Sequence, residues 1–317
     1  MTVDVAALPK AELHCHIDGL VDPALLDELA RRGTPAALTA DELGAWPVRS
    51  LDDFERHGSL IEERLAPRDV WLPRLLDVHL ERLRAQGVVY TEIFVNGLLF
   101  ARDDPGAQVD YFRALRERID RIAQPALRVE LVLCIGRGRV DKIERQAERI
   151  LLLRRAGLVR GVALAGLEEG AFPVRSVRHV FDAFHDAGLG VEIHAGELTG
   201  PESVWDALEH GRPHRLGHGL AAFDDPRLLD EIRARGVHLE LCPTSNLRLG
   251  RVARIDDHPV GRARELGLSF SLNTDDPGPF ATSMTDELAQ VVRVFGFGEA
   301  DLARVLADTL AASFADR

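Results

Sequence analysis

The sequence repeats one alternation along nearly its whole length, in which a short apolar run precedes a segment with apolar residues at helical spacing. Eight such runs are bounded by Gly, Pro, Asp or Asn, which is typical of buried strands. The predicted strands are Ala11–His16, Val88–Val95, Arg128–Ile135, Val159–Ala165, Gly190–His194, Arg215–His218, Val237–Cys242 and Ser269–Asn273. Strands that alternate with helices form parallel sheets, so eight units predict a closed (β/α)8 TIM barrel.

An open, doubly wound sheet is the alternative fold. It would need a Gly-rich phosphate-binding turn after an early strand, and Gly136-Arg137-Gly138 does not complete that pattern. Several predicted helices stop at a glycine, which commonly ends a helix. The predicted helices are Leu75–Gln86, Val109–Gln124, Asp141–Ala156, Ser176–Ala187, Glu202–His210 and Pro226–Arg235, with Thr285–Phe295 and Glu299–Phe314 after the last strand.

One segment interrupts the alternation. Leu20–Gly87, between the first two strands, is too long for a simple crossover and contains helical patches and several prolines. In a barrel such a segment lies over the carboxyl-terminal mouth or along the side. We expect a helical insertion over the active-site mouth, with its first half covering the substrate as a lid.

Length and composition narrow the class of protein. The 317 residues suit one barrel domain spanning 1–317, and the net charge of −12 argues against nucleic acids and anionic membranes as partners. Cys15, Cys134 and Cys242 are an odd, widely spaced set, which favours a reduced, cytoplasmic protein. No secretory signal and no long uncharged apolar stretch is present in the sequence. The sequence gives no indication of oligomeric state.

Polar side chains stand at the ends of the predicted strands. They are His14 and His16 at the first strand, His194 at the fifth, His218 at the sixth and Asp275 after the eighth. Barrel enzymes carry their catalytic groups at the carboxyl ends of strands, so these five residues should converge. Three imidazoles and one carboxylate suit Zn²⁺, with water as a further ligand. Glu197, close to such a site, is predicted to move protons, and a nearby histidine to orient the water.

The lysine content bears on the number of metal ions. A two-metal barrel hydrolase of this layout would place a bridging carboxylated lysine at the end of the fourth strand. The chain has only Lys10 and Lys142, and neither ends that strand. One metal ion per chain is therefore favoured.

Five motifs together resemble the adenosine/adenine deaminase family of the amidohydrolase superfamily. They are His14-Cys15-His16-Ile17-Asp18-Gly19, His194-Ala195-Gly196-Glu197, Arg215-Leu216-Gly217-His218-Gly219, Cys242-Pro243-Thr244-Ser245-Asn246 and Asn273-Thr274-Asp275-Asp276-Pro277. The resemblance covers nearly the whole chain. It implies zinc-dependent hydrolytic deamination of an adenosine-type purine nucleoside, with the small-molecule nucleoside and water as partners.

The resemblance also implies a role for each motif residue. His14, His16, His194 and Asp275 correspond to the zinc ligands. Glu197 corresponds to the group that protonates the purine ring, His218 to the residue that orients the water, and Asp275 also to the acceptor of its proton. Among the substrate-binding residues, Asp276 corresponds to the contact with the imidazole nitrogen of the purine, Gly166 to a backbone contact with the base, and Asp18 to a contact with the ribose 5′-hydroxyl.

Three departures from the family pattern concern the substrate rather than the chemistry. Leu20 follows Asp18-Gly19, Leu167 follows Gly166, and Tyr90-Thr91-Glu92-Ile93-Phe94 lacks a usual arginine. Leu167 and Leu98-Leu99-Phe100 could line a pocket for a different substrate tail, and we expect Leu20 and Leu167 each to offer apolar surface to a substituted substrate. The alternatives are therefore a modified adenosine such as aminodeoxyfutalosine, free adenine, or a non-purine cyclic amine or amide.

Overall fold

The computed structural model of the chain describes residues 3–33, 38–44, 46–64, 68–96, 104–123, 125–137, 140–168 and 171–317. Its centre is one sheet of eight parallel strands in sequential order. The strands are β1 Lys10–His16, β2 Val88–Asn96, β3 Arg128–Gly136, β4 Gly161–Ala165, β5 Gly190–Ala195, β6 Arg215–His218, β7 His238–Leu241 and β8 Phe270–Leu272. All eight predicted strands are present and the TIM barrel is confirmed.

The sheet closes between β1 and the residues that follow β8. A parallel bridge joins Cys15 to Asp275. The backbone N–H of His16 donates to the carbonyl of Asp275 at 2.8 Å, and the N–H of Asp275 donates to the carbonyl of His14 at 3.1 Å. Closure of the barrel therefore runs through residues that were predicted to bind a metal.

Helices surround the barrel and cover its two ends. They are α1 Pro23–Arg31, α2 Leu51–Arg64, α3 Arg68–Ala85, α4 Pro105–Ala123, α5 Val140–Arg155, α6 Arg178–Asp186, α7 Pro201–Asp206, α8 Pro226–Arg235, α9 Pro243–Arg248, α10 Val260–Glu265, α11 Pro277–Phe280, α12 Met284–Phe295 and α13 Glu299–Ala312. The predicted last helix is too long at its end, because α13 stops at Ala312 and the side chain of Phe314 enters the base of the barrel. Within the part described, no helix combines the length and apolar character needed to cross a bilayer.

The predicted insertion between β1 and β2 contains α1, α2 and α3. The leucines of α1 are buried in the main core, whereas α2 reaches the mouth of the barrel. There Phe54 stacks on Phe280 at 5.3 Å between ring centroids, and the N–H of Val48 donates to the carbonyl of Pro279 at 3.0 Å. The helix that borders the mouth is therefore α2, anchored on α11; lid motion stays a prediction.

Apolar and charged residues alternate on the strands. On β5, Val191 and Ile193 pack in the core between the sheet and the helices, whereas Glu192 and His194 alternate with them and face the barrel interior. Glu12, Glu92, Arg215 and Glu240 are also completely buried. The interior thus contains ionisable groups throughout, and the polar site at the mouth is continuous with them.

Candidate active site

The predicted metal ligands meet at the carboxyl-terminal end of the barrel. His14 and His16 lie on β1, His194 on β5, and Asp275 shortly after β8. Nε2 of His16 lies 3.2 Å from Nε2 of His194. Oδ1 of Asp275 lies 3.2 Å from Nε2 of His14 and 3.4 Å from Nε2 of His16. The four side chains therefore direct their potential ligand atoms at one small volume.

Two buried glutamates contact the outer nitrogens of these imidazoles. Oε2 of Glu240 lies in a hydrogen bond of 2.8 Å with Nδ1 of His14. Oε1 of Glu192 lies 2.8 Å from Nδ1 of His194, a close contact rather than an aligned hydrogen bond. Such carboxylates fix the tautomer of a metal-binding histidine and raise its basicity. The sequence motifs identified neither glutamate, although Glu192 precedes His194 by two residues and so shares its face of β5.

The protonation states of the imidazoles fit a metal ion. Burial lowers the pKa of His16 to about 4, and burial with the neighbouring histidines holds the pKa of His194 well below its usual value. At His14, burial lowers the pKa but Asp275 and Glu240 raise it more strongly. A metal ion bound here would displace the proton of His14, whose buried Nε2 contacts Asp275 but makes no aligned hydrogen bond within the described residues. Three imidazoles and a carboxylate suit a divalent ion such as zinc.

Glu197 and His218 form a proton-handling pair beside the ligands. Oε2 of Glu197 lies 3.6 Å from Nε2 of His218, which is 4.0 Å from Oδ2 of Asp275. Burial, with Asp275 and Glu168 adding to it, raises the pKa of Glu197 to about 8. Burial lowers the pKa of His218 to about 3. At neutral pH Glu197 therefore holds a proton that it can donate, and His218 is a neutral imidazole.

Side chains of α9 orient His218 and Asp275. Nδ2 of Asn246 contacts Nδ1 of His218 at 3.1 Å, so Nδ1 accepts and the ring proton sits on Nε2. Oδ1 of Asn246 in turn lies 3.2 Å from Nε2 of His258, and the hydroxyl of Ser245 donates to Oδ2 of Asp275 at 2.6 Å. The sequence prediction gave no role to Ser245, Asn246 or His258. Only the Cys242–Asn246 motif pointed to this helix.

Two site residues have a left-handed backbone that side chains other than glycine rarely adopt. His218 has φ +59° and Asp275 has φ +62°, a conformation that costs on the order of 1–3 kcal/mol and is concentrated at functional sites. Gly217, just before His218, has no room for a side chain, because a Cβ there would overlap Glu192 and crowd the His194 ring. The local backbone is thus shaped by where these functional side chains must lie.

A cavity of about 290 Å³ opens from the ligands to the protein surface. The predicted substrate-binding residues Asp18, Gly166 and Asp276 all line it. Its described lining also includes the apolar side chains of Leu51, Phe54, Leu167, Leu198 and Leu249. Burial, with Asp275 beside it, raises the pKa of Asp276 well above its usual value. That carboxyl group can therefore donate a hydrogen bond to a ring nitrogen.

The structure separates the two leucines that depart from the family pattern. Leu167 is 44% exposed and lines the cavity. Leu20 is 2% exposed, belongs to the main core and borders a different cavity on the side of the barrel. The expectation that Leu20 offers apolar surface to the substrate is therefore wrong. Leu98-Leu99-Phe100 lies outside the described residues.

Comparison with known proteins identifies similar chains with deaminase activity. The sequence profile of the family described as adenosine deaminase matches residues 9–317. An adenine deaminase of Sinorhizobium fredii is 35% identical over 98% of this chain and 95% of the relative. An aminodeoxyfutalosine deaminase of Streptomyces avermitilis is 33% identical over 98% of this chain and 88% of the relative. The solved structure of an amidohydrolase from Burkholderia ambifaria with bound zinc has a TM-score of 0.82 and 25% identity, covering 100% of this chain and 90% of that one.

The ligand geometry predicts a metal content that depends on His194. Purified protein should contain about one metal ion per chain, and His194→Ala should lower this content to about a tenth, because one of four ligands is lost. Elemental analysis after gel filtration measures both values. The matched control is His238→Ala, which removes another buried imidazole, one bonded to Ser269 rather than to the site. Two tightly held ions, or undiminished metal in His194→Ala, would contradict the site.

Proposed function

This chain belongs to the adenosine deaminase family, whose members are hydrolases acting on C–N bonds in cyclic amidines, and we propose that its substrate is an adenosine-type purine nucleoside. The reaction converts a 6-aminopurine and water into a 6-oxopurine and ammonia. The observation that carries the proposal is the position of Glu197, whose Oε2 lies 3.6 Å from Nε2 of His218 beside the ligand set, in a cavity that Asp18 also lines.

We infer that the metal is one zinc ion per chain, held by His14, His16, His194 and Asp275. The neutral imidazoles, the buried carboxylate and the zinc in the related amidohydrolase structure support this identity. The short strand β4 carries no lysine that could bridge a second ion. When bound, such an ion activates a water molecule for attack near neutral pH.

Glu197, His218 and Asp275 would divide the proton transfers. Glu197 donates its proton to the ring nitrogen next to the amine-bearing carbon, which makes that carbon electrophilic. The Nε2–H of His218 orients the attacking water and stabilises the charge that develops on its oxygen. Oδ2 of Asp275 accepts one proton of the water and returns it to the amine, which leaves as ammonia, and the second proton of the water leaves the new carbonyl oxygen and restores Glu197. The hydroxyl of Ser245 keeps that oxygen in place.

Asp276 and Gly166 would hold the base in the cavity. A purine offers the lone pair of its imidazole nitrogen as an acceptor, so a protonated Asp276 is a suitable donor. Asp276 also packs against Gly19, where a Cβ would overlap the carboxyl group. Gly166 has φ +99°, a backbone conformation that lets a ligand approach the chain closely.

Asp18 supports a nucleoside rather than the free base. It is exposed to the cavity beyond the reactive groups, so a carboxylate stands where a sugar hydroxyl could donate to it. The adenine deaminase named above keeps the free base as an alternative substrate. The exposed Leu167, with Leu51 and Phe54 on the same cavity wall, favours a modified adenosine with an apolar substituent as the second candidate.

The role of Glu197 can be tested by Glu197→Gln, which keeps the shape but cannot donate a proton to the ring nitrogen. We expect kcat to fall by roughly 10²–10⁴-fold while the metal content stays at the wild-type value. Ammonia release from adenosine, adenine and aminodeoxyfutalosine measures the rate. The exposed Glu202→Gln on α7 is the control. A metal-replete Glu197→Gln protein with near-normal kcat would show that another group protonates the base.

The sugar contact can be tested by Asp18→Ala with paired substrates. Loss of one charge-assisted hydrogen bond costs about 1.5–3 kcal/mol, so kcat/KM for the nucleoside should fall about tenfold to about a hundredfold. Turnover of free adenine should change little, because adenine has no hydroxyl to lose. Equal losses on adenosine and adenine would mean that Asp18 acts only on the structure of the site.

The apolar cavity wall predicts selectivity for a substituted nucleoside. We expect kcat/KM to be higher for a 5′-thio-substituted adenosine or aminodeoxyfutalosine than for adenosine, because buried apolar area contributes about 25 cal/mol per Å². Leu167→Asp should narrow that preference. Leu266→Asp is the matched control, since Leu266 is 38% exposed but lies outside the cavity lining. A tenfold or greater advantage for adenosine would overturn the second candidate.

A further inference from the structure

The interior of the barrel contains a chain of fully buried charges that starts at the ligand His14. Glu240 contacts Nδ1 of His14 through Oε2 at 2.8 Å. Its other oxygen, Oε1, lies 2.6 Å from Nε of Arg215, and Nη2 of Arg215 lies 2.6 Å from Oε2 of Glu92. All four side chains are completely buried. They come from β1, β7, β6 and β2, so the chain of contacts crosses the barrel.

Among these four side chains, Arg215 is the one guanidinium and lies between the two carboxylates. Its guanidinium presents donors in a fixed fork, and two of its nitrogens face the two carboxylates. Removing one partner of a buried ion pair leaves an uncompensated charge, which is strongly unfavourable. The Glu240 carboxylate therefore lies between a hydrogen bond to His14 and a close ion-pair contact with Arg215 that is not an aligned hydrogen bond.

The far end of the chain of contacts is anchored by the C-terminal segment after α13. Oε1 of Glu92 accepts from the backbone N–H of Phe314 at 2.6 Å. The guanidinium carbon of Arg215 lies 3.5 Å from the centroid of the Phe314 ring. Nη1 of Arg215 donates to the carbonyl of Ala312, the last residue of α13, at 3.3 Å. Gly161 and Gly190 make room for this ring, because a Cβ on either would overlap it.

We propose that Arg215, fixed by this C-terminal segment, is a positioning residue that sets the metal affinity of the site through Glu240 and His14. Glu240 can hold His14 as an Nε2 ligand only while its carboxylate faces Nδ1, and Arg215 holds it there. Substitution of residues that support a ligand from behind typically weakens metal binding 10–100-fold. This role rests on the metal site proposed above. It makes the metal affinity depend on residues at the opposite end of the barrel.

Lys10 offers a matched comparison for a purely structural role. Its side chain is also buried at the start of a strand. Its Nζ, however, donates to the backbone carbonyls of Leu8 at 2.9 Å and Gln86 at 2.7 Å. Removal of Lys10 should lower stability without affecting any contact of a metal ligand. Removal of Arg215 should lower stability and also weaken metal binding.

The experiment is competition for Zn²⁺ between a chromophoric chelator and the wild type, Arg215→Met, Arg215→Lys and Lys10→Met. Each protein is first tested for folding by circular dichroism at the assay temperature. We expect the Kd for Zn²⁺ to rise about 10–100-fold in Arg215→Met and to stay within about twofold in Lys10→Met. Arg215→Lys, which keeps the charge but cannot reach both carboxylates with a fork, should weaken binding to an intermediate degree.

The outcomes separate this inference from the proposed function. Wild-type protein that binds no zinc would overturn the metal site itself. Wild-type binding with unchanged Kd in a folded Arg215→Met or Arg215→Lys protein would overturn the positioning role alone. Equal weakening in Lys10→Met would show that the effect is general destabilisation. If Arg215→Met does not fold, the Arg215→Lys protein decides, and an unchanged Kd in it would overturn the inference.

Discussion

The contact between β1 and the residues after β8 is the constraint on which the rest of the structure depends. The same residues, His14, His16 and Asp275, carry the backbone hydrogen bonds that close the sheet and the side chains that surround the metal volume. Glu12 reinforces the closure by accepting from the N–H of Thr274 at 2.8 Å. A barrel opened at this edge would separate His14 and His16 from Asp275. Folding of the barrel and assembly of the site are therefore one event.

Burial then sets the chemistry of the groups that closure brings together. It disfavours charge on any side chain, so it raises the pKa of Glu197 to about 8 and lowers those of His16 and His218 to about 4 and about 3. One physical cause thus produces a neutral acid and neutral bases in the same place. Such a site combines a proton donor with a set of lone-pair ligands for a metal ion.

The strands and their terminal side chains could be predicted because the two-residue period of a strand and the alternation with helices are visible in the sequence. The pairing of Glu240 with His14 could not, because it depends on the stagger of β7 and β1, which are not neighbours in the barrel. Leu20 and Leu167 follow similar motifs, yet one is core and the other lines the cavity. The spacing of residues within each motif does not predict which of the two leucines is buried in the core.

Reaction and selectivity are carried by different parts of the fold, although they are physically joined. The reacting groups stand on strand ends, whereas the outer cavity wall comes from α2 in the insertion and from Leu167. Phe54 of this wall stacks on Phe280, the last residue of α11. Because α11 begins directly after Asp276, this stacking connects the wall to the site. A change in α2 can therefore alter which substituent is accepted and still leave the ligands untouched. In the proposed function, this separation would let the substrate preference change while the groups at the strand ends stay the same.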